Sequence, residues 1–232
     1  MSTIDRPKAT TLPPLVAGQR LDRATFHERY EAMPPKTRAE LIGGIVHMPS
    51  PLSLDHGDEN SPVVYWLMHY QCFTRGVKTT INASTFLDDQ AEPQPDVSLR
   101  VLHECGGQTH YEGDYLGGAP ELIVEIARSS KKIDLGDKLK DYERAGVLEY
   151  LVYALDPDEV HWFARRENHF VKQSPGADGC YRSEAFPGLW LDPVALLAED
   201  PNGLRMALER GLATPEHAAF VARLAEANAG RD

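Results

Sequence analysis

The stretch of residues 121–154 constrains the fold of this chain most strongly. It begins with Glu-Leu-Ile-Val-Glu-Ile-Ala, a short apolar run that is typical of an interior β-strand. Apolar residues then recur at helical spacing over residues 134–145, with Asp134 as a candidate N-cap and Gly146 as a candidate C-terminal cap. Residues 149–154 favour another strand. This order predicts a sheet with a helix packed on it.

Hydrophobic periodicity and turn residues predict the elements on either side of this stretch. In chain order these are a helix over 22–33, a hairpin around Gly43-Gly44, a helix over 58–74, strands over 77–87 and 95–102, a polar loop over 103–118, and a meander over 160–173. From Asp58 onward the predicted order is α-β-β-β-α-β. The predicted fold class is α/β, a mixed sheet flanked by helices.

We expect three parts along the chain. Residues 1–20 contain prolines and a glycine without periodicity, which predicts a flexible arm. Residues 21–197 are expected to form one domain, and the alanine-rich residues 198–232 a helical tail. A chain of 232 residues is long enough to bury about 70% of its unfolded surface without disulfides or metals as staples.

Composition excludes several classes of protein. Hydrophobic residues make up 42% and charged residues 25%, as in a globular protein, and no apolar run approaches the roughly 18–20 residues of a membrane span. The first twelve residues lack the apolar region of a secretory signal. Three cysteines without a C-x-x-C pair indicate a reducing compartment. We therefore expect a cytoplasmic protein with no membrane partner.

The net charge of −11 argues against binding nucleic acid through an overall positive field. A nucleic-acid partner would need a local basic patch, and Arg128, Lys131 and Lys132 form one close to Glu125. A solvated loop is the alternative for this patch. His56, before the predicted long helix, is a candidate for contact with phosphate or metal, or else a capping residue.

Two carboxylates lie next to apolar strand residues, where burying a charged group costs free energy. Asp96 directly follows Pro95 at the start of an apolar strand, and Glu125 interrupts the apolar run 122–127. Such a group is either solvated at a strand end or compensated by a cation. Carboxylate oxygens suit Mg²⁺ or Mn²⁺, so the pair is a candidate metal site. A solvated or ion-paired strand residue remains the alternative for Glu125.

The helix after Glu125 carries a candidate catalytic lysine. Asp134, Lys138 and Tyr142 are spaced at i, i+4 and i+8 and share one helix face. In metal-assisted phosphodiester hydrolysis a lysine orients the attacking water and offsets transition-state charge. The alternative is an ordinary surface ion pair of Asp134 and Lys138. The Ser129-x-x-Lys132 spacing of acyl-transfer enzymes lacks its companion motifs.

Several motifs in order resemble a known family. They are Arg38-x-Glu40-Leu-Ile-x-Gly44, Pro95-Asp96, the run 119–127, the block 134–152 and Phe186-Pro-Gly-Leu-Trp-Leu191. Over roughly residues 22–197 the chain resembles the Uma-two-type putative restriction endonucleases of the PD-(D/E)XK nuclease superfamily. The resemblance implies the same α-β-β-β-α-β core and a metal site at the sheet edge.

The resemblance also implies roles for single residues. Asp96 and Glu125 resemble the motif ligands of Mg²⁺ or Mn²⁺, and Glu40 resembles an accessory acidic ligand. The superfamily lysine normally lies two residues after the glutamate, where this chain has Ala127. Lys138 on the following helix is its natural substitute.

These residues together predict a metal-dependent endonuclease that acts on nucleic acid, with DNA as the expected substrate and a homodimer as the expected assembly. The competing hypothesis is a catalytically inactive binding or assembly module on the same fold. The net charge of −11 and the missing lysine at position 127 favour the module. The acidic residues Glu40, Asp96 and Glu125 favour the enzyme.

Overall fold

The computed structural model describes residues 12–49 and 54–230, with side chains described from Asp58 onward after the gap. The helices are α1 (Arg23–Glu31), α2 (Leu54–Phe73), α3 (Lys131–Ile133), α4 (Leu139–Ala145), α5 (Pro193–Leu197), α6 (Pro201–Leu212) and α7 (Pro215–Ala229). A π-helical turn, Asp134–Lys138, joins α3 to α4, and a 3₁₀ turn spans His103–Cys105.

Within the described ranges, the strands form one large sheet and three small ones. They are β1 (Glu40–Ile42), β2 (Ile45–His47), β3 (Val77–Ile81), β4 (Thr85–Phe86), β5 (Val97–Val101), β6 (His110–Glu112), β7 (Tyr115–Gly117), β8 (Leu122–Ala127), β9 (Glu149–Leu155), β10 (Asp158–Arg166), β11 (His169–Lys172), β12 (Tyr181–Arg182) and β13 (Trp190–Leu191). The large sheet has the order β11-β10-β9-β8-β5-β3.

The large sheet is mixed, as the sequence predicts. Its β8 and β9 strands run parallel, and the other neighbouring pairs are antiparallel. The parallel pair requires a crossover, which the helical segment from Lys131 to Ala145 provides. The elements α2, β3, β5, β8, α3–α4 and β9 therefore confirm the predicted α-β-β-β-α-β core.

Helices cover both faces of the sheet. On one face, α2, α6 and α7 pack on a core whose largest members are Trp66 and Trp162. On the other face, α4 packs through Tyr142 against Tyr150 of β9. Successive residues of β8 alternate between these two cores. The alternation puts Glu125 on the α4 side, in line with Ile123 and Ala127.

The predicted hairpin is present. Its turn residues, Gly43 and Gly44, have φ angles of 57° and 75°, the positive values that a tight two-residue hairpin turn requires. The N–H of Gly43 also donates to Asp141 Oδ2 on α4 at 2.7 Å. This hydrogen bond ties the hairpin to the helical segment that follows β8.

The predicted loop over residues 103–118 is wrong. It contains the 3₁₀ turn and the β6–β7 hairpin, which joins β4 in a three-stranded sheet. All three residues of β6 are exposed, so apolar alternation is missing from this strand. The predicted strand over 77–87 is likewise divided into β3 and β4, with Asn82 at a φ of 50° between them.

The prediction that Asp134 is an N-cap is also wrong. The helical segment begins at Lys131, one turn earlier, with Ser130 in the N-cap position. Asp134 is the first residue of the π turn and is buried. Its carboxylate consequently lies among other buried charges.

The described parts of the predicted arm and tail both pack on the domain. Leu15 is buried in a small core with Phe26 and Leu41, and the N–H of Gly18 donates to Val46 O. Leu204 of α6 and Leu224 of α7 belong to the main core. The three-part division stays a prediction. Of the helices in the described ranges, none has the length and apolarity to cross a bilayer.

The buried carboxyl of Glu149, at the start of β9, should make the stability of the protein depend on pH. Burial raises the pKa of its carboxyl to about 7, although the Ser183 hydroxyl and the Glu184 N–H donate to it. The unfolded chain loses this proton near pH 4.5, so between the two values the folded state binds more protons. The stability from this group is therefore fully present below pH 4.5 and is lost as the pH rises through 7.

We expect the Glu149→Gln variant to remove this pH dependence. The free energy of unfolding of wild type, relative to the variant, should fall by about 1 kcal/mol per pH unit between about pH 5 and 7. Urea denaturation of both proteins at pH 5, 6 and 7 measures it. Other titrating groups cancel in the comparison, and a constant difference would contradict the assignment.

Candidate active site

Four carboxylates and one lysine meet in a cleft of about 380 Å³. Glu40 comes from β1, Glu125 from β8, and Asp134 and Lys138 from the two ends of the π turn. Asp96 lies directly before β5. All five residues are less than 10% exposed. The structure therefore brings together every residue for which the sequence predicts a catalytic role, and adds Asp134.

The sheet positions two of these carboxylates. Because β5 and β8 are antiparallel and Val97 pairs with Val124, Asp96 lies beside the carboxyl end of β8. The N–H of Ile126 donates to Asp96 Oδ2 at 2.8 Å. The alternation along β8 then directs Glu125 toward the helical segment that carries Lys138.

Lys138 is the central cation of the cleft. Its Nζ lies 2.9 Å from Glu125 Oε1, 3.1 Å from Glu40 Oε1 and 3.8 Å from Asp134 Oδ1. It reaches Glu125 from the helix rather than from position 127, which is an alanine in this chain. The alternative of a solvated surface pair between Asp134 and Lys138 is wrong, because both side chains are buried.

Two further groups orient the carboxylates. The Tyr142 hydroxyl donates to Glu125 Oε1 at 2.6 Å, the same oxygen that Lys138 contacts. The N–H of Gln94 donates to Glu40 Oε1 at 2.7 Å. The helix spacing already placed Tyr142 on the face of Lys138. Gln94 gives no signal in the sequence, because its contact joins residues 54 positions apart.

Burial and mutual repulsion shift the titration of the cluster. Burial raises the pKa of Glu125 well above its usual range, and the attraction of Lys138 opposes this only in part. Burial also raises the pKa of Asp134. For Lys138, burial disfavours the charge, but Glu125, Glu40 and Asp134 together keep its pKa well above the ordinary value. The lysine therefore stays charged in the cleft.

The donor set fits a hard divalent cation. Four carboxylates face a single ammonium, and oxygen ligands of this kind suit Mg²⁺ or Mn²⁺. Asp134 Oδ2 is buried and accepts no hydrogen bond from the described residues. Within the described ranges no three histidine, cysteine or acidic side chains already converge as a metal cage. The ammonium of Lys138 contacts three of the four carboxylates in this structure.

The predicted basic patch is partly neutralised. Arg128 lines the cleft but pairs with Glu59, and Lys131 Nζ lies 2.8 Å from Glu159. Lys132 is exposed. The side chain of His56 lies outside the described residues. Two basic residues that sequence reasoning did not select, Arg38 and His47, also line the cleft.

The protein has a mixed sheet that is covered by helices on both faces. Buried carboxylates and a lysine lie where β5 begins and β8 ends. This arrangement is restriction-endonuclease-like. The family model described as Uma2, "Putative restriction endonuclease", matches residues 24–195, so the chain belongs to this family.

A solved structure, described as "a putative nuclease belonging to DUF820" from Anabaena variabilis ATCC 29413, has a similar fold. Its TM-score is 0.52 at 14% identity, over 78% of this chain and 97% of that chain. A likeness at this identity shows the fold alone. No curated protein matches the sequence.

Proposed function

We propose that this protein is a Mg²⁺- or Mn²⁺-dependent endonuclease that hydrolyses phosphodiester bonds of DNA. The observation that carries the proposal is the contact of Lys138 with Glu125 inside a cleft that also holds Glu40 and Asp96. Membership of the Uma2 family supports a nuclease. The description "restriction endonuclease" supports DNA as its substrate.

In this proposal Asp96, Glu125 and Glu40 hold the cation. When bound, the cation supplies Lewis acidity and lowers the pKa of a bound water. Tyr142 holds Glu125 Oε1 and thereby fixes the orientation of the carboxylate. The Ile126 N–H does the same for Asp96.

Lys138 acts as a charged donor rather than as a base. Its raised pKa keeps the ammonium protonated near neutral pH, so it has no lone pair with which to accept a proton. A fixed ammonium beside the cleft orients the attacking water and stabilises the negative charge that develops on the phosphoryl oxygens. Arg128, Lys131 and Lys132 contact the DNA backbone near the cleft mouth in this proposal.

Cleavage assays test the proposal directly. We expect purified protein with Mg²⁺ or Mn²⁺ to cut plasmid DNA, and Glu125→Gln to cut at least about 100-fold more slowly, because the variant loses a charged metal ligand. Glu226→Gln is a matched control, since Glu226 is exposed on α7, a helix that packs on the face of the sheet opposite α4. Single-stranded DNA and RNA, assayed in parallel, show which nucleic acid is the substrate.

A second candidate function is an inactive binding or assembly module. One observation favours it: Lys138 contacts three of the carboxylates. The ammonium therefore neutralises part of the acidic charge even when no metal is bound. Equal inertness of wild type and Glu125→Gln on every substrate, together with no stabilisation by Mn²⁺, would establish the module and overturn the nuclease. Light scattering of the same samples tests the predicted homodimer.

A further inference from the structure

Asp134 carries a buried oxygen atom whose hydrogen-bonding capacity is unused. The residue is 2% exposed and lines the cleft. Its Oδ1 lies 3.8 Å from Lys138 Nζ, and its Oδ2 has no hydrogen-bond partner among the described residues. An unsatisfied buried acceptor costs roughly 1–3 kcal/mol, and more when it is charged. The folded state therefore carries a free-energy penalty at Asp134 Oδ2, and a ligand bound to this atom would remove the penalty.

The other three carboxylates of the cleft differ from Asp134. Each has one oxygen held by a neutral protein donor: Asp96 by the Ile126 N–H, Glu40 by the Gln94 N–H, and Glu125 by the Tyr142 hydroxyl. Asp134 Oδ2 has no such donor in the described part of the chain. The Ser130 hydroxyl lowers the pKa of the Asp134 carboxyl, but Oδ2 itself lies without a hydrogen-bond partner among other acids, where a cation would stabilise it.

The local backbone also distinguishes this position. Asp134 and Lys138 are the first and last residues of a π-helical turn within an otherwise α-helical segment. Such turns are rare and are frequent at functional sites. Here the turn places the Asp134 carboxylate and the Lys138 ammonium about one helical turn apart, and both line the same cleft.

We propose that Asp134 is a fourth carboxylate ligand of the divalent cation and binds it through Oδ2. A small cation that binds oxygen at about 2.0–2.1 Å can satisfy a buried carboxylate oxygen. A phosphate oxygen would be repelled there. The inference rests on the proposed function, because it concerns the same cation.

The test is Mn²⁺ binding, measured by calorimetry and by the rise in thermal midpoint. Four proteins are compared: wild type, Asp134→Asn, Asp96→Asn and Asp137→Asn. Asp137 is the control, because it lies on the same helical segment but is exposed and paired with Lys140. We expect Asp134→Asn to weaken binding at least about tenfold, Asp96→Asn to abolish it and Asp137→Asn to leave it unchanged.

The metal-free proteins supply a second readout. Asp134→Asn removes a buried charge from an acidic cluster, so its thermal midpoint without metal should equal or exceed that of wild type. If the asparagine variant folds poorly, Asp134→Ser serves instead, with the same expected loss of affinity.

Two results would overturn the inference, and they are distinguishable. If wild type binds Mn²⁺, Asp96→Asn does not, and Asp134→Asn binds as wild type does, Asp134 is not a ligand and the proposed metal dependence stands. If wild type itself binds no Mn²⁺, the metal-dependent function fails and the inference fails with it.

Discussion

The Lys138→Gln variant should lose cleavage activity by about 100- to 1000-fold, the usual effect of removing one charged or hydrogen-bonding donor from a transition state. It should also bind Mn²⁺ more tightly. The reason is that Lys138 Nζ lies 2.9 Å from Glu125 and 3.1 Å from Glu40, so the ammonium would compete for the oxygens that hold the cation in the proposed function. A unit charge at about 4 Å contributes roughly 4 kcal/mol at an effective dielectric of 20, so the gain in affinity should be at least about tenfold.

Single-turnover cleavage and Mn²⁺ calorimetry measure the two effects separately. Lys140→Gln is the matched control, because Lys140 lies on the same helical segment and is exposed. Lys138→Arg keeps the positive charge and should retain part of the rate. Unchanged cleavage by Lys138→Gln would rule out the role of the lysine, and weaker Mn²⁺ binding would rule out competition.

The second large effect concerns the core beneath the sheet. Trp66 of α2 is 1% exposed, packs edge-on against Trp162 at 6.0 Å between ring centroids, and donates from Nε1 to Trp190 O at 2.9 Å. We expect Trp66→Ala to lower the free energy of unfolding by about 3–5 kcal/mol, because it leaves a cavity. It also leaves the Trp190 carbonyl without its donor. For a chain of this size the thermal midpoint should fall by roughly 10 °C or more.

Tyr65→Ala is the control for this experiment. Tyr65 is the preceding residue on α2, is also aromatic, and is 36% exposed. Its truncation should cost less than about 1 kcal/mol, as for other surface substitutions. Similar losses in the two variants, measured by urea denaturation, would show that α2 does not anchor the core through Trp66.

The sequence predicted the central fold because its signals are local. Apolar runs, helical spacing and the glycine pair of the hairpin each lie within one short stretch of the chain, and the core order and the hairpin that they predict were confirmed. The β6–β7 hairpin was missed because its outer strand is exposed and its inner strand is only three residues long. Its β7 strand pairs with β4, and the paired residues are about thirty positions apart in the sequence. A local sequence pattern cannot predict such a pairing.

The candidate site was visible in part for a related reason. Asp96 and Glu125 are conspicuous because charge is costly beside apolar strands. Asp134 was hidden because an acidic residue before an amphipathic helix resembles an N-cap, and only the true start of the helix at Lys131 corrects that interpretation. The Gln94 contact with Glu40 depends on tertiary structure alone.

The placement of Lys138 has a consequence for how the protein is made. Many small metal sites are unfolded until their ion arrives, since the ligands repel one another. Here the polypeptide carries its own counter-ion, an ammonium that contacts three of the four acids from within the same chain. If the proposed function holds, synthesis and folding can therefore be complete before any metal is encountered, and metal loading would be a late event governed by the supply of free cation.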